Sequence, residues 1–451
     1  MRKVTILALI LALVMVVSAC ANDADAPVEA PAEQQEDASD DTDETEAPEE
    51  AAPDGERQVV EVWMLSEGIQ LTAHIDSFED FFPQYDLRIT YFESEDLKTQ
   101  TRMAIAGGTA PDVMAVNVGE MLSEFIEAGA ALDLTDIFEE RGWSENTYED
   151  FLESLGADGR IYAMNYVGAF LWQALYYNAD FMDENGIDIP LIMTIEEMSD
   201  IAEEIRAAGM QPVAFGNQGM WPGILMFGDY LLQMAPPDYP DAINSGEVGW
   251  DESEVIVTVF DALQRMGQGG IFTVGYESQD HTAAIMSWGG ELAAMLYNGA
   301  WWPGTFDNGI DDIPFTIGTT FLPRYRSGAE LQGTQFWGNM ALMINADTES
   351  VSGAVAFVDH MISWEAAHAL AQDMGCITFH PGYNRQAELH PIFLTEPFTA
   401  QLPLPKMNYA DWIFPTPVTE ELKIQIVDLF AGRVTPEEAA ANVEAVHAGL
   451  R

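Results

Sequence analysis

The sequence predicts an α/β fold divided into two lobes, on two observations. Some 395 of the 451 residues follow an N-terminal stretch that cannot fold, and a chain of that size exceeds what one hydrophobic core usually organises. Within it, β-rich runs alternate with helical ones, the order that builds a largely parallel sheet. Residues 58–65 (Gln-Val-Val-Glu-Val-Trp-Met-Leu) read as a first strand. A helix from Ile69 to Phe82 follows, stopped by Pro83. Leu87–Phe92 alternates as a second strand, and Leu97–Ala106 is helical up to Gly107-Gly108. The turn Thr109-Ala-Pro-Asp112 leads into the strand Val113–Val116, and Asp112 reads as the cap of that turn.

Later helices carry explicit start signals. Thr194-Ile-Glu-Glu197 is a capping box ahead of Met198, Ile201 and Ile205, and Gly209 suits the position after the last turn. Thr435-Pro-Glu-Glu438 combines an N-cap, a proline at the first helical position and acids facing the dipole. The helix it opens runs toward Leu450.

The N-terminus has the layout of a secretory signal: Arg2-Lys3, the apolar run Ile6–Val17, then small residues. That run is short for a membrane span, which takes about 20 apolar residues. Val17-Ser18-Ala19-Cys20 matches the lipobox of bacterial lipoproteins. The match implies that residues 1–19 are removed and that Cys20 carries lipid. Only one other cysteine exists, Cys376, in an apolar stretch that suits a small core residue. With Cys20 acylated, no intramolecular disulfide is available, so the core must stabilise the fold. Residues 21–56 hold 15 carboxylates and no Lys or Arg. Such a segment buries too little apolar surface to offset its ordering entropy, so 20–56 reads as a disordered acidic tether.

The remainder is acidic too, with 60 Asp and Glu against 15 Lys and Arg, a formal charge of −45. That field opposes nucleic acid and anionic lipid, leaving the lipid anchor as the sole expected membrane contact. Seven scattered histidines form no H-E-x-x-H pattern, and no paired cysteines, nucleophile elbow or P-loop appears. No cofactor or metal is therefore expected, nor an enzyme.

Several segments in order resemble the family 1 extracellular solute-binding proteins. They are Ala104-Ile-Ala-Gly-Gly-Thr-Ala-Pro-Asp-Val113, Gly129-Ala-Ala-Leu-Asp-Leu-Thr-Asp136, Asp158-Gly-Arg-Ile-Tyr-Ala163, Tyr176-Tyr-Asn178, Asn298-Gly-Ala-Trp301 and Gly432-Arg-Val-Thr-Pro-Glu-Glu-Ala439. The resemblance implies a two-lobe periplasmic-binding-protein-like fold with discontinuous lobes joined by a hinge. Lobe one would be 57–163 and 338–372, lobe two 164–337 and 373–451. It implies a monomer that captures a small-molecule solute between the lobes and delivers it to the transmembrane subunits of an ABC permease, at a cell surface or in a periplasm. Two departures stand out. Met164-Asn165-Tyr166 replaces the usual proline after Tyr-Ala, and Met374–Tyr383 lacks the early Ile-Pro of the third crossing.

A sugar is the solute expected, because its C–H faces need aromatic plates and its hydroxyls need groups that donate and accept. By the resemblance, Trp301 stacks on ligand and Trp221 supplies a second wall, with core packing as the other reading. Trp302 shares both readings. Trp337 and Asn339 fall at a hinge crossing, Gln218 sits in a polar loop before Trp221, and Trp172 reads as core. Loops beyond strand ends face the cleft of open α/β sheets, which brings in Glu67, Asn117 and Glu120. A glycerol-phosphodiester, a peptide or a polyamine are alternative solutes on this fold, and a secreted glycoside hydrolase or a surface sensor are alternatives of another class.

Overall fold

Val60, Val62 and Met64 alternate to one face of the run Gln58–Leu65 and are buried, which makes it a strand, β1, with a single core face along most of its length. The computed structural model describes residues 57–65, 71–167, 173–306, 309–336, 340–374, 378–384, 390–401 and 403–451. Cys20, the tether, Glu67, Trp172, Trp337, Asn339 and Cys376 lie outside the described residues.

β1 pairs in parallel with β2 (Tyr85–Phe92), from Gln58 opposite Tyr85 to Leu65 opposite Phe92. Its other edge meets β3 (Val113–Asn117), again in parallel. The same five-stranded sheet holds β4 (Ala163–Asn165) and β10 (Met340–Ile344), in the order β2-β1-β3-β10-β4. Every residue of β3 and β10 is buried. The second sheet contains β5 (Ala174–Asn178), β6 (Gln211–Ala214), β7 (Ala293–Asn298) and β8 (Ile317–Thr320), ordered β8-β5-β7-β6. A separate parallel pair joins β9 (Thr334–Phe336) to β11 (Lys406–Asn408).

Helices cover both sheets. Ser94–Gly107 packs on β1 and β2, Glu120–Glu127 on β3, and Val351–Met361 on β1 and β10. On the second sheet Ile195–Ala207 packs on β6 and His281–Gly289 on β6 and β7. Glu254–Gln268 shows how pattern becomes packing. Ile256, Val259, Phe260, Leu263 and Met266 form one buried stripe at helical spacing, and it lies against the helices Trp221–Leu231, Thr416–Phe430 and Pro436–Ala448. Trp364–Met374 touches elements of both halves, the helix Thr72–Asp76 and the turns Trp302–Thr305 and Gly309–Asp312. No described helix is long and apolar enough to cross a membrane.

Two expectations change. The sheets are mixed: β10 runs antiparallel to both its neighbours, and β6–β7 is the sole parallel pair of the second sheet among the described residues. A strand that returns from elsewhere needs no βαβ crossover and can enter in either direction. The helix expected over 69–82 is, within the described residues, two short ones, Thr72–Asp76 and Phe78–Phe81. At the break the Ser77 hydroxyl donates to the His74 carbonyl at 2.6 Å, a local bond that competes with the helix ladder.

Both capping boxes are formed. The Thr194 hydroxyl accepts from the Glu197 N–H and Thr435 from the Glu438 N–H, with each glutamate bonding back to the cap. Thr194→Ala and Thr435→Ala should each cost about 1 kcal/mol of stability, read as a lower urea midpoint at unchanged slope.

Candidate ligand-binding site

The second sheet brings a cluster of aromatic and amide side chains to the end of β7. Asn298, the last residue of that strand, takes the Gly299 N–H on Oδ1 at 2.8 Å. Its Nδ2 donates to His281 Nε2 at 3.0 Å. The Trp301 indole N–H donates to the same nitrogen at 3.1 Å. An indole N–H can only donate, so Nε2 is an acceptor and the ring is neutral with its proton on Nδ1. Burial, the largest cause, pushes the His281 pKa down to about 4. His281 is placed by its helix, whose N-cap Asp280 accepts the Ala283 N–H at 2.6 Å.

This geometry explains the run Asn298-Gly-Ala-Trp301. A Cβ on Gly299 would lie 1.8 Å from the Trp301 ring, so only glycine lets the indole fold back over the strand end. Trp221 completes an aromatic trio, its ring centroid 4.8 Å from His281 and 6.1 Å from Trp301. It opens the helix Trp221–Leu231 after Met220, a non-glycine residue at φ 59°. The three rings, with Phe215, Pro222 and Tyr297, line a narrow pocket of about 10 Å³, room for a single water. Trp221 is half-buried, whereas Trp301 is 7% exposed, so Trp221 is the more accessible plate and Trp301 its backing.

A half-buried carboxylate ties this wall to the rest. The Tyr297 hydroxyl donates to Asp229 Oδ2 at 2.7 Å, and Gln335 Nε2 donates to Asp229 Oδ1 at 2.6 Å. Burial raises the Asp229 carboxyl to about 7 despite those donors. Asp229 thus joins β7, the helix carrying Trp221, and β9 just before residues 337–339.

The other candidates separate. Trp302 is a correction: it is fully buried, edge-on to Trp288 at 4.9 Å and to Tyr176 at 5.6 Å, and belongs to the core. Gln218 is exposed in its loop, held through its backbone N–H to the Gln279 carbonyl. Asn117 ends β3 and is 6% exposed. Glu120 begins the helix Glu120–Glu127, and its side chain lies outside the described residues. Sequence reasoning missed His281, Asn217, Tyr409 and Trp412. Asn217 is buried and accepts the Gly223 N–H at 2.9 Å. Tyr409 donates to the Trp221 carbonyl at 2.8 Å and packs edge-on to Trp412 at 4.5 Å. A lone histidine or a Tyr-x-x-Trp carries no signal until the fold supplies its partners. Among the described residues, no group of three or more His, Cys, Asp or Glu side chains could hold a metal ion.

The model of the family described as bacterial extracellular solute-binding protein matches residues 73–393. An uncharacterized ABC transporter extracellular-binding protein of Pyrococcus horikoshii is 23% identical over 207 residues, 45% of this chain and 43% of that one. A xylose/arabinose-binding protein of Haloferax volcanii is 22% identical over 260 residues, 56% of this chain and 55% of the relative. The chain thus spans about half the length of these curated relatives. Among solved structures, a chitin oligosaccharide binding protein superposes with a TM-score of 0.76 at 17% identity, over 88% of this chain and 99% of the other. That likeness establishes the two-lobe fold.

Two outcomes test the site. Trp302→Ala should lose about 3–5 kcal/mol of stability, whereas Trp221→Ala, at the pocket surface, should lose far less by the same denaturant titration. His281 has a lowered folded pKa, so its contribution is present above the unfolded value near 6.5 and lost as pH falls toward about 4. His281→Gln should flatten the fall in unfolding free energy between those pH values.

Proposed function

Because the chain belongs to the bacterial extracellular solute-binding protein family, we propose that it captures a sugar or oligosaccharide between its two lobes and delivers it to an ABC permease. The observation that carries this reading is the aromatic wall of Trp221 and Trp301. The Trp221 indole, backed by Trp301, offers a flat apolar face to the C–H face of a sugar ring, at little entropic cost on binding. Trp221 stacks on the ligand and Trp301 backs it, while Gln218 and Asn117 supply hydroxyl partners. Glu67, Glu120, Trp337 and Asn339 are the further ligand-binding residues that this reading takes from the sequence. The relatives named for xylose/arabinose and chitin oligosaccharide binding support a carbohydrate as the solute. The acidic surface disfavours phosphorylated or otherwise anionic ligands.

Ligand contacts to both lobes favour the closed form, and the permease reads that form. Lobe one comprises 57–165 and 338–372, lobe two 166–337 and 373–451, the first boundary moved from 163 because Met164 and Asn165 pair with β10 in the first sheet. Lipid on Cys20 and the tether 20–56 keep a monomer near the permease. The protein turns over no substrate.

Thermal-shift screening across mono- and oligosaccharides, followed by calorimetry, tests the proposal, since a ligand bound to the native state alone raises the melting temperature. A sugar should stabilise the protein, and Trp221→Ala should weaken its binding roughly tenfold, about 1.4 kcal/mol. Trp301→Ala should weaken it as well, by freeing the wall. Stabilisation by a polyamine or peptide and by no sugar would overturn the reading.

A further inference from the structure

After residue 56 the chain keeps three lysines among 60 acidic side chains, and two of the three converge on one carboxylate. Lys98 extends from the helix Ser94–Gly107, packed on β1 and β2 of the first lobe. Asp411 sits in the turn Ala410–Trp412, packed on the helices Trp221–Leu231 and Thr416–Phe430 of the second. Lys98 Nζ lies 3.2 Å from Asp411 Oδ2, and Lys423 Nζ lies 2.6 Å from Asp411 Oδ1. The side chains of Lys98, Asp411 and Lys423 are 16, 3 and 2% exposed. Glu420, 3.1 Å from Lys423, balances the charge. Burial alone would push the Asp411 carboxyl up, but the two ammonium groups outweigh it and hold it below the ordinary value.

The lobes also touch beside this cluster. Gly119, at φ 84° beyond the end of β3, faces the Trp412 carbonyl so closely that a Cβ would lie 2.8 Å from that oxygen. When the lobes part, Asp411 and Lys423 travel together and Lys98 leaves. Lobe two therefore presents a carboxylate already fixed by its own lysine, and lobe one brings the second cation to it.

We propose that Lys98 is an electrostatic latch of the interlobe cleft, docking on the Asp411–Lys423 pair in the closed form and returning to solvent in the open one. A pair shielded from water is stronger and less salt-screened than a surface pair. Lys98 is thus a positioning residue: it sets the population of the closed form whatever the ligand, and this does not depend on the ligand being a sugar.

Asp411→Asn is a poor test, because it removes the carboxylate that both ammonium groups share and threatens folding. Lys98→Met keeps the stem and removes the charge, and Lys98→Gln is a second such variant. Nitroxide labels at Met103→Cys and Met286→Cys, exposed sites on the two lobes, report lobe separation by double electron–electron resonance in the full chain, with Cys20 and Cys376 replaced by Ala. With no ligand added, Lys98→Met and Lys98→Gln should both move the distance distribution toward the separated form, and Lys98→Arg should preserve the parent distribution. Where a ligand is in hand, the methionine variant should release it about tenfold faster. Distributions for Lys98→Met and Lys98→Gln that coincide with the parent's, or an arginine variant as open as the methionine one, would overturn the latch. The labels read the lobes without ligand, so failure of sugar binding leaves this test intact.

Discussion

The first sheet cannot close until the chain has visited the second. β10 lies between β3 and β4 and hydrogen-bonds to both, Met340 to Ile344 opposite Asn117 to Val113 on one side, Ala341 to Met343 opposite Asn165 to Ala163 on the other. Its five residues are buried. Without it, β3 and β4 would each expose a buried apolar edge with unpaired backbone groups. The second sheet is therefore inserted within the first, and the segments between them are crossings both halves share.

The aromatic wall is rigid for a related reason. Trp301 is fixed by His281, His281 by the helix it opens, and Asn298 by the strand it ends. Asp229 links β7 to β9, the last described strand before residues 337–339, through Tyr297 and Gln335. The wall and β9 thus share one half-buried carboxylate. A wall held this way loses little side-chain entropy when a ligand arrives.

Charge divides the molecule in another sense. A domain of formal charge −45 repels itself and other anions at long range, yet two of its three lysines are concentrated where the halves meet. A cation in so acidic a chain is most effective in a buried contact, where solvent does not screen it.

Much of this was legible in local sequence. β1, β2 and β3 follow from alternation and turn residues, and the helices after Thr194 and Thr435 from caps that act within four residues. The ordered motifs indicated the family, and Asn298-Gly-Ala-Trp301 marked the strand end where the wall stands. Sequence could not separate Trp301 from Trp302, since neighbours of identical chemistry diverge only when one ring meets His281 and the other Trp288. Nor could it pair Lys98 with Asp411, 313 positions away, or set β10 antiparallel between β3 and β4. Caps, periodicity and composition act through neighbours along the chain, and the sequence by itself determined them. Burial, the neutral state of His281 and the contact between halves depend on groups brought together through space, and only the tertiary structure decided them.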